Sequence, residues 1–335
     1  MFIIVVIAIV IALLFDFLNG MNDAANSIAT IVATKVLSPL KAVLWAAFFN
    51  FIAYFLFGVH VANTIGKGIV EPVIVDEFLI LSSLVGAVLW VYACTKFGMP
   101  ISVSHALIGG LIGPTIIKAQ GFSMLISSGI FKVLLFIVLS PLIGFLLGFI
   151  IMAITLHFSR NSIPSKVDKK FRYLQLFSSA IFSLGHGSND AQKTMGIIAI
   201  LLYSYKKNTL GLPDVEFSIP GWVIFVCYLT ISLGTITGGW SVIKTLGAKL
   251  TDLKPVGGFC AETAGALTII GSSLGGIPVS TTHTITGSII GVGITKRFSA
   301  VRWGLTTHIV GAWILTIPAT AIMSALVYMI IRFFT

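Results

Sequence analysis

The 335-residue sequence predicts an all-α polytopic membrane protein made of two inverted repeats of about five apolar segments each, with discontinuous or hairpin helices at a shared site. Composition is the first reason. Apolar residues make up 57% and charged residues 10% of the chain, against about 45–50% and about 25% in soluble domains, and mean hydropathy is +1.05. The second is that apolar runs of about twenty residues, each enough to cross roughly 30 Å of hydrocarbon, recur throughout and leave no soluble domain over. The third is that two polar motifs, embedded in apolar sequence, occur in the same order in both halves.

Taken in order, the first run covers 2–33. It lacks the positive start of a secretory signal and continues past the point of cleavage, so it is expected to be a retained span. Further spans are predicted at 42–65, 78–97, 101–117 and 127–156. A polar stretch follows, in which Arg160, Lys166, Lys169, Lys170 and Arg172 face a single carboxylate, Asp168. The positive-inside rule makes this linker, 157–172, cytoplasmic, and five crossings before it put the N-terminus outside the cell. Spans then recur at 173–200, 219–244, 258–275, 277–295 and 303–332. An odd number of crossings starts the second half from the opposite face, which gives inverted repeats over 1–156 and 173–335.

Self-similarity supports the division. Gly98-Met99-Pro100-Ile101-Ser102-Val103-Ser104-His105, with Gly109 and Gly113, matches Gly276-Ile277-Pro278-Val279-Ser280-Thr281-Thr282-His283, with Gly287 and Gly291, at a constant offset of 178. Gly20-Met21-Asn22-Asp23-Ala24-Ala25-Asn26 matches Gly187-Ser188-Asn189-Asp190-Ala191-Gln192-Lys193 at an offset of 167. The difference fits extra loop around 204–218.

A net charge of +10 could suggest nucleic acid as a partner, but the cations fall between apolar runs, where they set orientation, and form no stripe with aromatics. Cys94, Cys227 and Cys260 lack paired spacing and read as small packing residues. Enzyme chemistry is not indicated: neither Asp is followed by His at metal-ligand spacing, and no cofactor other than a coupling ion is expected.

Intramembrane carboxylates are expensive and mark functional sites, so Asp23 and Asp190 are the first candidates. Inverted-repeat transporters bind substrate at Gly/Pro-interrupted segments in corresponding positions of the two halves, and Gly98-Met99-Pro100 and Gly275-Gly276-Ile277-Pro278 are such segments. Each is either a hairpin dipping into the membrane or a tight link between two crossings. The hydroxyls that follow, Ser102 and Ser104 in one half and Ser280, Thr281 and Thr282 in the other, suit helix starts, whose free N–H groups bind anions.

Two carboxylates beside an oxyanion require something positive between them. Asn22, Asp23 and Asn26, with Asn189, Asp190 and Gln192, provide the oxygen ligands that hard cations take, which assigns Na+ to Asp23 and Asp190. Accessory candidates are Lys193, which either contacts the anion or neutralises Asp190; Glu262, a third intramembrane carboxylate whose counterpart is Leu84; and His105 and His283, read as orienting the hydroxyls. His60, His157, His186 and His308 lack repeat partners and receive no role.

These motifs resemble the inorganic phosphate transporter (PiT) family, whose signature Gly-Ala-Asn-Asp-Val-Ala-Asn-Ala occurs in two halves. Here the copies are Gly-Met-Asn-Asp-Ala-Ala-Asn-Ser from Gly20 and Gly-Ser-Asn-Asp-Ala-Gln-Lys-Thr from Gly187, and the stretch Pro278 to His283 resembles the family's second element. The resemblance implies secondary active uptake of inorganic phosphate coupled to sodium or protons, and a homodimer. It makes Asp23 and Asp190 the essential carboxylates, with the neighbouring Asn and Gln residues, Gln192 among them, sharing ion and phosphate contacts. The departure at Gln192, Lys193 and Thr194 bears on the cation, because an added Lys charge could replace one bound ion.

Energetics set a minimum stoichiometry. Carrying a dianion into a negative interior costs roughly 4.6 kcal/mol per 100 mV, so concentrative uptake needs at least two monovalent cations, and one fewer for a monoanion. A buried acceptor that reads the proton kept by phosphate at neutral pH separates it from sulfate, since an unpaired acceptor costs about 1–3 kcal/mol. A sulfate permease and a cation exchanger of similar architecture remain the alternatives.

Overall fold

The structure, a computed structural model, describes residues 1–212 and 215–334, apart from the side chains of 247–249. Residues 213 and 214, in the expected loop 204–218, and 335, the end of the expected second repeat, lie outside the described residues. Twelve α-helices and no β-strand occur among the described residues. The first half contains α1 (Phe2–Ala33), α2 (Pro39–Ile52), α3 (His60–Gly68), α4 (Glu77–Lys96), α5 (Val103–Ala119) and α6 (Ser127–Ser159). The second contains α7 (Pro164–Ser204), α8 (Gly221–Thr237), α9 (Trp240–Lys249), α10 (Pro255–Leu274), α11 (Thr281–Ile294) and α12 (Trp303–Phe334).

Local sequence explains where several helices begin. Proline occupies the first turn of α2, α7 and α10, where its missing N–H costs nothing. Asp76 caps α4 by accepting from Leu79 N at 2.8 Å. The polar stretch after α6 is helical from Pro164 onward, so Lys166, Lys169, Lys170 and Arg172 decorate the first turns of α7, and only 160–163, with Arg160, joins the two helices.

Among the described residues, α1, α4, α6 and α12 are long and apolar enough to cross a membrane, and six such spans result if each of two bent helix pairs is counted as one. These bent pairs differ from the continuous runs expected at 42–65 and 219–244. The α2 and α3 axes meet at 83° and the α8 and α9 axes at 75°. Interrupted helices are tolerated in a membrane when protein groups satisfy the freed backbone, and at the α2–α3 bend they do: Gln192 Oε1 accepts from Val61 N at 2.9 Å and Ala62 N at 3.2 Å in the first turn of α3.

Both Gly/Pro interruptions are helical hairpins. Gly98 and Gly276, 178 positions apart, turn the chain with φ of +69° and +66°, a region open to glycine without a Cβ penalty. The base of the α4–α5 hairpin is closed by Lys118 Nζ on Asp76 Oδ2 at 2.5 Å. The base of α10–α11 is closed by Lys296 Nζ on the Asp252 carbonyl at 2.8 Å. With 17 and 14 residues, α5 and α11 extend about 26 and 21 Å, short of a roughly 30 Å hydrocarbon layer.

Small residues let the hairpins lie directly on the long helices. A Cβ on Gly287 or Gly291 of α11 would come within 2.1 Å of the Pro141 or Phe145 carbonyl of α6. At the matching positions of α5, Gly109 and Gly113 would meet the Ile317 and Ala321 carbonyls of α12 at 2.4 and 2.0 Å. At the centre stand α1 and α7. Residues 22–31 and 185–201 are buried all the way round, the mark of helices enclosed by other helices. Apolar side chains such as Phe131, Leu135, Ile314 and Ile322 cover the outside of α6 and α12.

Candidate functional site

The two Asn-Asp motifs lie on the central helices, and the hairpin tips reach them. Ser102 caps α5, its Oγ accepting from His105 N at 3.2 Å, and Ser280 caps α11 in the same way from His283 N at 3.3 Å. Thr282 Oγ1 donates to the Ile101 carbonyl at 3.0 Å, and the His105 and His283 rings are 4.8 Å apart, so the two helix starts face one centre.

That centre is a carboxylate pair bridged by a hydroxyl. Thr281 Oγ1 lies 3.3 Å from Asp23 Oδ2 and 3.0 Å from Asp190 Oδ2, and Thr282 Oγ1 lies 3.3 Å from Asp23 Oδ1. Asn26 Nδ2 donates to both threonine oxygens, at 3.2 and 3.0 Å. The threonine protons are thereby directed toward the carboxylates and the Ile101 carbonyl. Each hydroxyl has only one proton, so Thr281 serves one aspartate at a time.

Lys193 completes the cluster. Its Nζ donates to Asp190 Oδ1, to Ser104 Oγ at 2.5 Å and to the Val279 carbonyl at 2.7 Å. Asp23, Asp190 and Lys193 are all at most 2% exposed. Counted as two carboxylates and one ammonium, they leave a net negative charge that repels an anion until a cation joins them.

The neighbouring amides hold the tips in place. Asn22 Nδ2 donates to Thr95 Oγ1 at 2.7 Å, at the end of α4. Its counterpart Asn189 donates to Ser273 Oγ at 2.9 Å, at the end of α10, and accepts from Val279 N at 3.3 Å. Gln192 is engaged with the first turn of α3 and donates to the Ser188 carbonyl at 2.6 Å; no hydrogen bond links it to the Asp–Thr cluster. Glu262 stands apart from that cluster, accepting from Thr30 Oγ1 at 2.6 Å, Gln175 Nε2 at 2.9 Å and Ser178 Oγ at 2.5 Å. Below the helix starts, the His283 ring stacks on Trp313 at 3.7 Å, and Trp313 Nε1 donates to the Pro100 carbonyl at 3.1 Å.

Sequence reasoning passed over two residues of the site. His186 Nε2 sits 3.1 Å from Asp190 Oδ2, within ion-pair range but not aligned for a hydrogen bond, while Asn50 Oδ1 lies 3.1 Å from Nδ1. Asp16 is fully buried on α1 and accepts from Thr194 Oγ1 at 2.9 Å. Helical spacing contains the signal for both: His186 is one turn before Asp190, and Asp16 is two turns before Asp23.

The ligand chemistry suits a cation. Asp23, His186 and Asp190 each offer an atom, all within 4.8 Å of one another. Along the same face of α1, Asp16 Oδ2, Asn19 Oδ1, Asn22 Oδ1 and Asn26 Oδ1 are buried acceptors without a hydrogen-bond donor. Buried acceptors of this kind call for an explanation, and oxygen ligation of a hard ion is one.

A polytopic helical membrane protein with a sealed polar centre, built where two hairpin tips meet two polar central helices, has the anatomy of a membrane transporter. The sequence profile of the Phosphate transporter family matches residues 19–166 and 156–324, and the chain belongs to that family. A protein of Rhizobium meliloti bearing the name "Probable low-affinity inorganic phosphate transporter" is 53% identical over 88% of this chain and 86% of its own length. Another, of Bacillus subtilis, is 40% identical over 89% of this chain and 88% of its own. Among solved structures, one titled "The sodium-dependent phosphate transporter" superposes with a TM-score of 0.87 at 27% identity, over 99% of this chain and 100% of that one.

Proposed function

We propose that the chain is a secondary active transporter that moves inorganic phosphate across the cell membrane together with cations, sodium favoured and protons possible, by alternating access. The observation that carries this reading is the Thr281 hydroxyl shared between Asp23 and Asp190 at the starts of two helices. Such helix starts attract anions, and the carboxylates attract cations.

Hydroxyl bookkeeping links the two ligands. While the aspartates are bare, the Thr281 and Thr282 protons serve them. A cation bound to the carboxylates takes over that role and turns the hydroxyls toward the anion, so cation binding precedes phosphate binding. In this reading Ser102, Ser104, Ser280, Thr281 and Thr282 bind phosphate, and Gln192 joins them in states where α3 has moved. Asn22, Asp23 and Asn26 in one half and Asn189 and Asp190 in the other form the cation positions, Glu262 provides an accessory ion site, and His105 and His283 support the helix starts.

The repeats, 1–156 and 173–335 joined by the basic segment 157–172, are inverted, with the N-terminus outside and the basic segment in the cytoplasm. Contacts that recur in both halves support the repeat: Asn22 with Thr95 and Asn189 with Ser273, the Ser102 and Ser280 caps, and the glycine contacts of α5 and α11. A homodimer is part of the reading through the family resemblance alone.

The test is uptake of labelled phosphate by proteoliposomes under sodium, proton or no gradient, with sulfate as competitor. Gradient-driven phosphate uptake that sulfate does not suppress is expected. Uptake indifferent to both gradients would remove the coupled reading, and preferential sulfate transport would convert it to a sulfate permease. Cation flux without phosphate would leave a cation exchanger.

A further inference from the structure

We propose that Lys193 is a built-in cation: its ammonium fills one of two mirror-related cation positions, so the chain takes one coupling ion fewer per phosphate than a carrier with both positions free. The inference rests on the coupled-carrier reading above and specifies its stoichiometry.

The first observation is the set of atoms around Lys193. An ammonium has three N–H donors. Here they meet a carboxylate oxygen of Asp190, the hydroxyl oxygen of Ser104 at 2.5 Å and the carbonyl of Val279 at 2.7 Å. Carboxylate, hydroxyl and carbonyl oxygens are also the ligands that a hard monovalent cation collects. All three donors are spent, which leaves none to reach an anion. Of the two roles open to this lysine from sequence, contact with phosphate or neutralisation of Asp190, the geometry selects the second.

The second observation is that the same three ligands exist in mirror image. Subtracting 167 from Asp190 gives Asp23, adding 178 to Ser104 gives Thr282, and subtracting 178 from Val279 gives Ile101. These three converge as well: Thr282 Oγ1 lies 3.3 Å from Asp23 Oδ1 and 3.0 Å from the Ile101 carbonyl. The residue that corresponds to Lys193 is Asn26, a neutral amide whose Nδ2 bonds the Thr281 and Thr282 oxygens and whose Oδ1 has no partner. One position thus has its positive charge attached to the chain. The other offers Asp23, Thr282, the Ile101 carbonyl and the free oxygen of Asn26 to a mobile ion.

A tethered charge cannot leave with the substrate, so it contributes nothing to the driving gradient. With one exchangeable cation at the Asp23 position, monoanionic phosphate crosses this centre without net charge.

The test compares full-length wild type with K193N, which places there the residue found at the mirror position, and with K193S. Uptake of 22Na+ and 32P-phosphate is counted together in proteoliposomes, and melting temperature is followed in detergent as sodium replaces choline. Each variant is expected to carry one more Na+ per phosphate than wild type, to show sodium activation steeper by about one Hill unit, and to be stabilised more by sodium. Recovery of folded variant only in high sodium supports the proposal too. Wild-type ratio and steepness in the variants would overturn it, as would a loss of stability that sodium does not change. If wild type is driven by protons, the same count is made with a pH-sensitive dye, and variants unchanged in both proton and sodium counts overturn it. Absence of any gradient coupling in wild type, measured first, would instead remove the carrier reading.

Discussion

At the residue scale, the site is a small set of acceptors arranged around very few protons. Asp23→Asn and Asp190→Asn keep shape and remove charge, and each is expected to abolish coupled uptake while leaving expression intact. Losing one charge-assisted contact costs about 1.5–3 kcal/mol, roughly 10- to 100-fold in cation affinity, so sodium activation measured in proteoliposomes reads the effect directly. Full uptake by either variant would remove the central assignment. Thr281→Val tests the shared hydroxyl, since valine fills the same space without a proton to give. The phosphate KM is expected to rise about 5- to 100-fold, from one lost hydrogen bond worth about 1–3 kcal/mol where a carboxylate is left short. A KM unchanged from wild type would show that the bridge has no part in binding. Duplication is what made these residues legible: Asp23, Asp190 and the tip hydroxyls each have a partner in the other half. His186 and Asp16 have none. They join the site through helical spacing and three-dimensional contact, and Asp16 is seated by Thr194 from the far half of the chain, a pairing no local pattern encodes.

At the scale of single elements, the chain reversals at 98–100 and 276–278 are legible in the sequence, while the choice between a hairpin and two joined crossings, and the bends of α2–α3 and α8–α9, come from the structure. Gly98-Met99-Pro100 and Gly276-Ile277-Pro278 announce a reversal followed by a helix start, because glycine permits the left-handed turn and proline the first helical turn. The α8–α9 bend falls on Gly238-Gly239, with Gly238 at a φ of +65°, whereas the α2–α3 break at Leu56-Phe57-Gly58-Val59 has one glycine and no proline inside an apolar run. What makes it possible is tertiary: the first amides of α3 find their acceptor in Gln192, on a helix 130 residues away in sequence. Gln192→Leu is therefore expected to leave two buried amides unpaired, at about 1–3 kcal/mol each, and to lower the melting temperature of the purified protein. A variant that melts like wild type would show that the α3 amides do not depend on Gln192, and weaker phosphate binding by the variant would report the contact proposed for states where α3 has moved. The tips make a parallel expectation. Alanine at Gly98 or Gly276 is forced to a φ near +69° or +66°, costing about 1–2 kcal/mol, and each tip carries residues of the site, so uptake should fall along with stability.

For the molecule as a whole, the argument turns on which face of the membrane each loop occupies. If α1, the bent pair α2–α3 and α6 cross while α4–α5 enters and returns, each half crosses three times and the second half starts from the opposite face. The charges agree with that arrangement. The loops and helix ends it places inside contain Lys35 and Lys41, the five cations of 160–172, and Lys296, Arg297 and Arg302, while the segment 205–220, placed outside, balances Lys206 and Lys207 with Asp214 and Glu216. The loop between α3 and α4, placed outside, contains Glu71 and Asp76, and the α5–α6 loop at 120–126 contains no charge at all. Two equivalent loops then decide the matter, 120–126 after α5 and 295–302 after α11, because inverted repeats put them on opposite faces and parallel repeats on the same one. Cys94, Cys227 and Cys260 are buried, so a single introduced thiol on the surface reports its own side. Ser123→Cys is expected to react with a membrane-impermeant maleimide in intact cells. Arg297→Cys and Ser165→Cys are expected to react only after permeabilisation; all three positions are exposed in the structure. If Ser123→Cys and Arg297→Cys label from the same side, the halves are parallel, related by an axis along the membrane normal, and the inverted arrangement proposed for alternating access is removed.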